Sequence, residues 1–295
     1  MTTTPAPAPL QAAIAALAHE RPLTQDGITA AFDVVMRGDA SQVQIAALLT
    51  GLRVRGESAE VVAGAASALR RAMVRLDLPQ HERIVDTCGT GGGSVGTFNI
   101  STAAALVAAG AGVRIAKHGN RSFTSNSGSA DVLEALGVSI DVDVEAMRRA
   151  YESAGIVFMF APRMHPAMRH VGPVRGELGI PTVMNIIGPL ANPASAGRQV
   201  IGVADAARVR VIADALAALG TVHSLVVHGA PGMDEISPLG PTRILEVRGS
   251  NITEWEADPD SIGSGVAQPS ELIGGTPAEN AELVRGCLAG TAPAG

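Results

Sequence analysis

The chain has 295 residues with a net charge of -6, and its 22 Lys and Arg residues form no basic run. This balance argues against a protein that coats nucleic acid, because affinity for the phosphate backbone comes from clustered cations. Hydrophobic residues make up 46% of the chain, but polar residues or glycines break every apolar run before it could span a membrane, so no transmembrane segment is predicted.

The N-terminus and the cysteines indicate the compartment. Residues 1–10 lack the positive region and apolar core of a signal peptide, and their Thr, Pro and Ala composition predicts a frayed tail. The two cysteines, Cys88 and Cys287, match neither a disulfide framework nor a zinc spacing. We therefore expect a reducing, cytoplasmic setting.

The first predicted elements are helices, between residues 10 and 73. Apolar residues such as Ile28, Phe32 and Val35 recur at three- and four-residue spacing, and Ser41 with Gln44 forms a capping-box pattern. We expect a small N-terminal helical domain over residues 1–75, to which residues 165–190 add further helices. Residues 76–295 would form a second, larger domain.

From residue 84 onward, short apolar runs alternate with helical patterns. Strands are predicted at 84–88, 113–117, 156–160, 199–203 and 224–228, and helices at 99–111, 144–154, 165–178 and 205–219. Such alternation is typical of a parallel sheet. Paired strands at 242–247 and 251–256 and a helix at 277–288 follow. The predicted class is α/β: a small all-helical domain plus a larger α/β domain with a mainly parallel central sheet and helices on both faces.

The first predicted strand ends in a glycine-rich turn, residues 89–93. Without Cβ atoms the backbone can approach a ligand closely, and successive N–H groups can point into one concavity that suits phosphate. The helix that begins near Asn99, Ser101 and Thr102 would add its positive dipole end. A phosphorylated substrate is therefore expected, with a plain tight turn as the alternative.

A dinucleotide site is a second interpretation of the same glycines. Gly91, Gly93 and Gly96 satisfy G-x-G-x-x-G, which requires an acidic residue roughly 20 positions later to bind the ribose diol. Here the second strand ends near Lys117, and Arg121 follows. Cations at this place favour binding of a second phosphate over binding of a ribose diol. The P-loop spacing G-x-x-x-x-G-K-[ST] is also missing, which disfavours an ordinary nucleoside triphosphatase.

Two other groups are candidates for the site. Asp234 and Glu235 lie in a turn after the strand at 224–228, where ligands of such folds bind, and hard oxygen ligands of this kind share magnesium with phosphate oxygens. Solvated acids are the alternative. Arg175, if it faces the phosphate site, would be a natural partner for a carboxylate on a second substrate.

Eight motifs, in chain order, resemble the anthranilate phosphoribosyltransferase family. They are DTCGTGG at 86–92, FNIST at 98–102, KHGNRS at 117–122, SGSAD at 127–131, HPAM at 165–168, PVR at 173–175, NIIGPLANP at 185–193 and GMDE at 232–235. Relatives of the thymidine phosphorylase type share the architecture but lack the KHGN block and the Asn-Pro loop.

The resemblance implies that the amine of anthranilate displaces pyrophosphate from 5-phosphoribosyl 1-pyrophosphate (PRPP) in tryptophan biosynthesis, with Mg²⁺ assisting. It implies catalytic roles for Lys117, which would neutralise the leaving group, and Arg175, which would hold the anthranilate carboxylate. It implies magnesium ligands at Ser101, Asp234 and Glu235. The implied substrate-binding residues are Gly89, Gly92, Gly93, Thr97, Asn99, Ile100, Ser101, Thr102, Lys117, His118, Gly119, Asn120, Ser129 and Arg175.

The resemblance also implies a homodimer that forms through the N-terminal helices. Two departures stand out. The family usually has Asp where this chain has Gly93, so donor affinity or metal dependence should differ. The family also continues past residue 295 with another strand and helix, so we expect the sheet to lack cover and the activity to be impaired.

Two other functions are considered. A pyrimidine nucleoside phosphorylase of the same fold would bind inorganic phosphate and a nucleoside. A catalytically impaired relative that binds nucleic acid is disfavoured by the acidic balance of the chain. Neither nucleic acid nor a membrane is an expected partner.

Overall fold

The structure is a computed structural model that describes residues 8–122, 126–263 and 265–291. The strands in this part of the chain are β1 (Val85–Gly89), β2 (Ile115–Gly119), β3 (Ile156–Phe160), β4 (Arg198–Gly202), β5 (His223–Gly229), β6 (Thr242–Arg248) and β7 (Asn251–Ala257). The α-helices are α1 (Pro9–Ala18), α2 (Gln25–Arg37), α3 (Gln42–Arg55), α4 (Ala59–Ala72), α5 (Ile100–Gly110), α6 (Ser129–Ala135), α7 (Val144–Ala154), α8 (Ala161–Met164), α9 (Gly172–Leu178), α10 (Ala206–Ala218), α11 (Pro269–Leu272) and α12 (Pro277–Ala289).

The chain divides into two compact units. A helical unit consists of the residues up to Val74 together with His165–Ala191, and an α/β unit consists of Arg75–Met164 together with the residues from Asn192 onward. The predicted fold class, a helical part and a larger part with a mostly parallel sheet, is confirmed.

The helical unit is held together by helix caps and an aliphatic core. The Ser41–Gln44 capping box predicted from the sequence is confirmed, since each residue bonds to the backbone of the other. Helix α2 packs on α4, and α1 packs on α2 and α3. The predicted apolar stripe of α2 is buried, and Phe32 is among the largest fully buried side chains.

The α/β unit is built on a seven-stranded sheet of order β3-β2-β1-β4-β5-β6-β7. Strands β1 to β5 run parallel to one another, β6 is antiparallel to β5, and β7 is antiparallel to β6. The chain passes from β1 outward through β2 to β3 and then returns to place β4 on the other side of β1. The direction of the crossovers therefore reverses between β1 and β4, where such sheets open a crevice beyond the carboxyl ends of the strands.

Several sequence predictions differ from the structure. The helix predicted at 165–178 is divided into a 3₁₀ helix, Pro166–His170, and α9, and the short helices α8 and α11 were not predicted. The second strand was predicted two residues too early, because Val113 donates to the Ala108 carbonyl and belongs to the closing turn of α5. Helix α6 was not predicted, because its seven residues are too few for a clear apolar period. In the described part of the chain, no helix is long and apolar enough to cross a membrane.

Candidate active site

The glycine-rich turn follows β1 at the point where the crossover direction reverses. Gly89, the last residue of β1, pairs with Gly202, the last residue of β4. Gly91 and Gly92 have φ values of 72° and 82°, which favour glycine because a side chain strains this left-handed conformation. A tight turn with exposed backbone therefore lies at the carboxyl edge of the sheet, as the sequence predicts.

The turn is fixed at both ends but has free donors between them. The Thr90 N–H donates to the Gly202 carbonyl, and the Ser94 N–H donates to the Gly232 carbonyl, both at 2.9 Å. Between these anchors, the N–H groups of Gly92 and Gly93 donate to no other described residue. Adjacent N–H groups of this kind are suited to phosphate oxygens.

Asp234 packs against three glycines of the α/β unit. Its Oδ2 accepts a hydrogen bond of 2.8 Å from the Gly91 N–H. A Cβ atom at Gly89 would lie 2.6 Å from Asp234 Oδ2, one at Gly93 would lie 3.1 Å from Asp234 Oδ1, and one at Gly202 would lie 1.6 Å from the Asp234 carbonyl oxygen. Gly89 and Gly93 therefore make room for the Asp234 carboxylate and Gly202 for its backbone carbonyl; Gly202 was not identified from the sequence.

The neighbouring Glu235 carboxylate is largely removed from solvent. Burial, and then the charge of Asp234, raises the pKa of Glu235 to about 8, against the opposing effects of Lys117 and of a hydrogen bond from the Ser101 N–H. Two adjacent carboxylates of which one resists ionisation indicate a place where a further cation would be stabilised.

Lys117 on β2 is only 3% exposed. Its ammonium group donates to the Thr87 carbonyl and, at 3.3 Å, to the Thr87 and Ser101 hydroxyls. Burial lowers the pKa of Lys117, and the charges of Asp86 and Glu235 oppose this effect. The structure thus places Lys117 beneath the site, where it holds the end of β1 and the start of α5 together.

Asp86 on β1 is the buried counter-charge of Lys117. It accepts hydrogen bonds from the His118 N–H at 3.1 Å, from Asn192 Nδ2 at 2.8 Å and from the Cys88 thiol. Burial raises the pKa of Asp86, while Lys117 and these hydrogen bonds lower it. Burial also raises the pKa of Cys88, so this cysteine is an unreactive thiol donor.

Asn192, in the Asn-Pro loop of the sequence motif, connects β1 to β2. Besides its bond to Asp86, its Nδ2 donates to the Ala116 carbonyl at 2.9 Å, and its Oδ1 accepts from the Ala194 N–H at 2.9 Å and the Ala196 N–H at 3.4 Å. All the hydrogen-bonding capacity of this buried carboxamide is used. The loop therefore supports the strands from which Lys117 and His118 emerge.

The segment after β2 brings Asn120 and Ser129 together. The Asn120 carbonyl accepts from the Ser129 hydroxyl at 3.3 Å. A Cβ at Gly119 would lie 2.1 Å from Ser129 Oγ, and one at Gly128 would lie 2.6 Å from the Asn120 carbonyl oxygen, so both positions need glycine. Residues 123–125 lie outside the described part of the chain.

The start of α5 carries the remaining predicted donor-site residues. Thr97 forms a bridge with Ile273, and the half-buried Ile100 packs into an apolar cluster. Asn99 is the N-cap of α5, but its side chain does not cap the helix and bonds to Ser127 instead. The Thr102 hydroxyl is buried and has no hydrogen-bond partner among the described residues.

Arg175 lies in the helical unit, on α9. It is half-buried, and burial lowers its pKa. Helix α9 has Pro at its second position, and Gly179, whose φ is 61°, caps its C-terminal end.

The geometry within the α/β unit brings together all the other predicted site residues around the carboxyl ends of β1 and β2.

The residues around the glycine turn fit a magnesium ion that is shared with a substrate. Among the described residues, no group of three or more His, Cys, Asp or Glu could hold a metal by itself. Magnesium, however, usually takes one or two carboxylates and completes its shell with phosphate oxygens and water. Asp234 and Glu235, with the Ser101 hydroxyl, match this requirement.

Comparison with known proteins gives the same result along nearly the whole chain. Residues 11–73 match the family model "Glycosyl transferase family, helical bundle domain", and residues 81–295 match "Glycosyl transferase family, a/b domain". The anthranilate phosphoribosyltransferase of Rubrobacter xylanophilus is 52% identical over 281 residues, which cover 95% of this chain and 82% of that protein.

Two solved structures are also similar. The anthranilate phosphoribosyltransferase of Thermus thermophilus has a TM-score of 0.88 at 42% identity. The match covers 95% of this chain and 83% of the Thermus thermophilus chain. The Saccharomyces cerevisiae enzyme in complex with PRPP and Mg has a TM-score of 0.85 at 30% identity, with coverages of 96% and 84%. These similarities favour the transferase interpretation over the phosphorylase and nucleic-acid alternatives.

Proposed function

The chain belongs to the anthranilate phosphoribosyltransferase family, and from this premise we propose how its own residues transfer the phosphoribosyl group of PRPP to the amine of anthranilate. The products are N-(5-phosphoribosyl)anthranilate and pyrophosphate, in tryptophan biosynthesis. The observation that carries the proposal is the glycine-rich turn, which presents free N–H groups beside a pair of carboxylates at the reversal point of the sheet.

The donor binds on the turn and the start of α5. The free N–H groups of Gly92 and Gly93 donate to phosphate oxygens, and the side chains of Thr97, Asn99 and Ser101 line the same edge. The Ser101 N–H already bonds to Glu235, so the contribution of this helix terminus comes mainly from side chains.

Asp234, Glu235 and Ser101 would hold Mg²⁺. When bound, the ion neutralises negative charge that develops on the departing pyrophosphate. The carboxylate of Asp234 is held in place by the Gly91 N–H, so its orientation is set before any ligand arrives. The pKa of Glu235 is near 8, and a nearby cation would favour its ionised form.

Lys117 contributes to the same charge balance without leaving the interior. Its ammonium group bonds to the Ser101 hydroxyl, and its charge acts on Glu235. We therefore assign it an electrostatic and positioning role beneath the leaving group. Because the site is poorly solvated, a fixed positive charge there has a larger effect than it would have in water.

The acceptor requires orientation more than activation. An aromatic amine is neutral at pH 7 and already nucleophilic, so alignment is the main requirement. We propose that Asn120 contacts anthranilate and that Arg175 binds its carboxylate through a charge-assisted hydrogen bond. Both assignments come from the sequence resemblance.

The test is the formation of fluorescent phosphoribosylanthranilate from anthranilate, PRPP and MgCl₂. Arg175→Gln should raise the KM for anthranilate by roughly tenfold to a hundredfold, the cost of losing a charge-assisted hydrogen bond, and leave the KM for PRPP nearly unchanged. Arg169→Gln, at an exposed arginine of the same segment, is the matched control. Absence of product from the wild-type chain, with donor binding intact, would overturn the proposed reaction.

We also propose a homodimer formed through the helical unit, in a reducing cytoplasm. Helix α3 exposes two large apolar side chains, Val43 and Val54, each 79% accessible. Both cysteines are free thiols. Sedimentation at micromolar concentration should give twice the mass of one chain, whereas a monomer would contradict the proposal.

A further inference from the structure

The segment Leu272–Gly275, here called the strap, runs beside the connection between the glycine turn and α5. The Phe98 N–H donates to the Leu272 carbonyl and the Gly274 N–H donates to the Gly96 carbonyl, both at 2.9 Å. A Cβ at Gly274 would lie 2.7 Å from the Phe98 Cα, so only glycine allows this approach. The strap thus fixes the backbone immediately before Asn99.

Asn280 connects the strap to the side chain of Asn99. It lies in the first turn of α12 and is only 2% exposed. Its Oδ1 accepts a hydrogen bond of 2.7 Å from the Gly275 N–H, and its Nδ2 donates to Asn99 Oδ1 at 2.9 Å. The residues that flank this contact in the chain, Phe98 and Ala281, belong to one apolar cluster, which also contains Val284 of α12. A buried amide in an apolar cluster is costly unless its hydrogen bonds are made, and here they lead to one residue of the donor site.

The direction of these hydrogen bonds is fixed by backbone groups at both ends. The Gly275 N–H can only donate, so the oxygen of Asn280 must face it and its NH₂ must face Asn99. At the other end, Asn99 Nδ2 donates to the Ser127 carbonyl at 3.0 Å, and this carbonyl can only accept. The Ser127 hydroxyl adds a bond of 3.2 Å to Asn99 Oδ1. Neither carboxamide can rotate by 180° without losing bonds, so Asn99 has one orientation.

We propose that Asn280 is a positioning residue for the PRPP subsite, which acts by holding the Asn99 carboxamide in the orientation that receives the donor. The proposal rests on the proposed function, since it takes Asn99 to be part of that subsite. The N-cap position of Asn99 supports it. A free Asn at an N-cap would bond to its own helix, and here the Asn280 and Ser127 contacts replace that bond.

Asn280→Asp is the sharpest variant, because the side chain keeps its shape while its NH₂ donor is replaced by an acceptor oxygen that carries negative charge. The carboxylate can still accept from Gly275, but it places an oxygen against Asn99 Oδ1. An acidic residue in the first turn of a helix is otherwise favourable, so α12 should form normally. Val284→Ala is the matched control, since it removes buried atoms one turn further along α12, at an apolar residue of the cluster that contains Phe98.

The readout is binding of PRPP in the presence of MgCl₂ by isothermal titration calorimetry, together with both KM values. Asn280→Asp should weaken PRPP binding at least tenfold and change the KM for anthranilate less than twofold. Val284→Ala should lower the urea midpoint and leave PRPP binding within twofold of wild type. In an Asn99→Ala background, Asn280→Asp should have no further effect on PRPP binding, because the residue through which it acts is gone.

Three results would overturn the inference: unchanged PRPP binding in Asn280→Asp, an equal loss in Val284→Ala, or a full additional loss in the Asn99→Ala background. The binding experiment needs no anthranilate. If the wild-type chain binds PRPP but forms no product, the proposed reaction fails while the comparison of variants still decides the role of Asn280.

Discussion

Asn192→Ala tests whether the Asn-Pro loop supports the sheet beneath the site. The substitution removes one carboxamide that bonds to Asp86, Ala116 and Ala194 within 2.9 Å. It leaves a carboxylate, a carbonyl and an N–H group without these partners. The expected effect is therefore on stability first and on the site second.

The magnitude follows from the groups that lose their partners. A buried polar group left unsatisfied costs about 1–3 kcal/mol. Asp86 keeps its bonds from the His118 N–H and the Cys88 thiol, so it is weakened rather than left unsatisfied. The Ala116 carbonyl and the Ala194 N–H, together with this weaker effect on Asp86, give about 4 kcal/mol. This is a large part of the 5–15 kcal/mol by which domains are typically stable, so the variant should fold but unfold at much lower urea concentration.

Trp255, the single tryptophan, provides the signal because it lies on β7 of the α/β unit. Urea unfolding followed by its fluorescence should show the loss for Asn192→Ala and a change below about 0.5 kcal/mol for Asn251→Ala, at an exposed asparagine of the same unit. If the two variants unfold at the same urea concentration, the structural role assigned to Asn192 is wrong.

Three further predictions concern single side chains. Burial lowers the pKa of His165 to about 4, whereas the imidazole exposed by unfolding binds a proton below pH 6.5. The free energy of unfolding should therefore fall by about 3 kcal/mol between pH 6.5 and 4. Urea unfolding across this pH range should show a smaller fall for His165→Gln. Gly202→Ala would force a Cβ to within 1.6 Å of the Asp234 carbonyl oxygen and should abolish product fluorescence, whereas Gly110→Ala, which has open space, should retain full activity. Gly93→Asp would place a second carboxylate near Asp234, so MgCl₂ should raise its melting temperature more than that of wild type; an equal shift would show that the new acid does not reach the ion.

The fold was largely predictable because it depends on local patterns. Alternating strands and helices leave a periodic record in the sequence, and β3, α7 and α12 were located within one residue of their observed ends. The start of β2 was not located correctly, because the Val113 N–H closes the last turn of α5. β-Branched residues such as Val113 occur in such turns as well as in strands.

The site was predictable only where its parts are contiguous in sequence. The glycine turn and the Asp234–Glu235 pair are short motifs with their own chemistry. The contacts that hold them join residues 106 positions apart, as for Asp86 and Asn192, or 181 apart, as for Asn99 and Asn280. No periodicity or spacing records such pairs. The one available signal was the acidic Asp86 in a short buried strand, and Asn280 had none because α12 also carries charged residues.

The packing of Asp234 against Gly89, Gly93 and Gly202 restricts how this sequence can diverge. The three glycines come from separate segments, yet each has its Cβ position taken by the same acidic residue. The side-chain oxygens of Asp234 take the Cβ positions of Gly89 and Gly93, whereas its backbone carbonyl takes that of Gly202. A homologous lineage that replaces the aspartate with a smaller residue should therefore be the one in which larger residues appear at positions 89 and 93. Position 202 should keep glycine whatever side chain stands at 234.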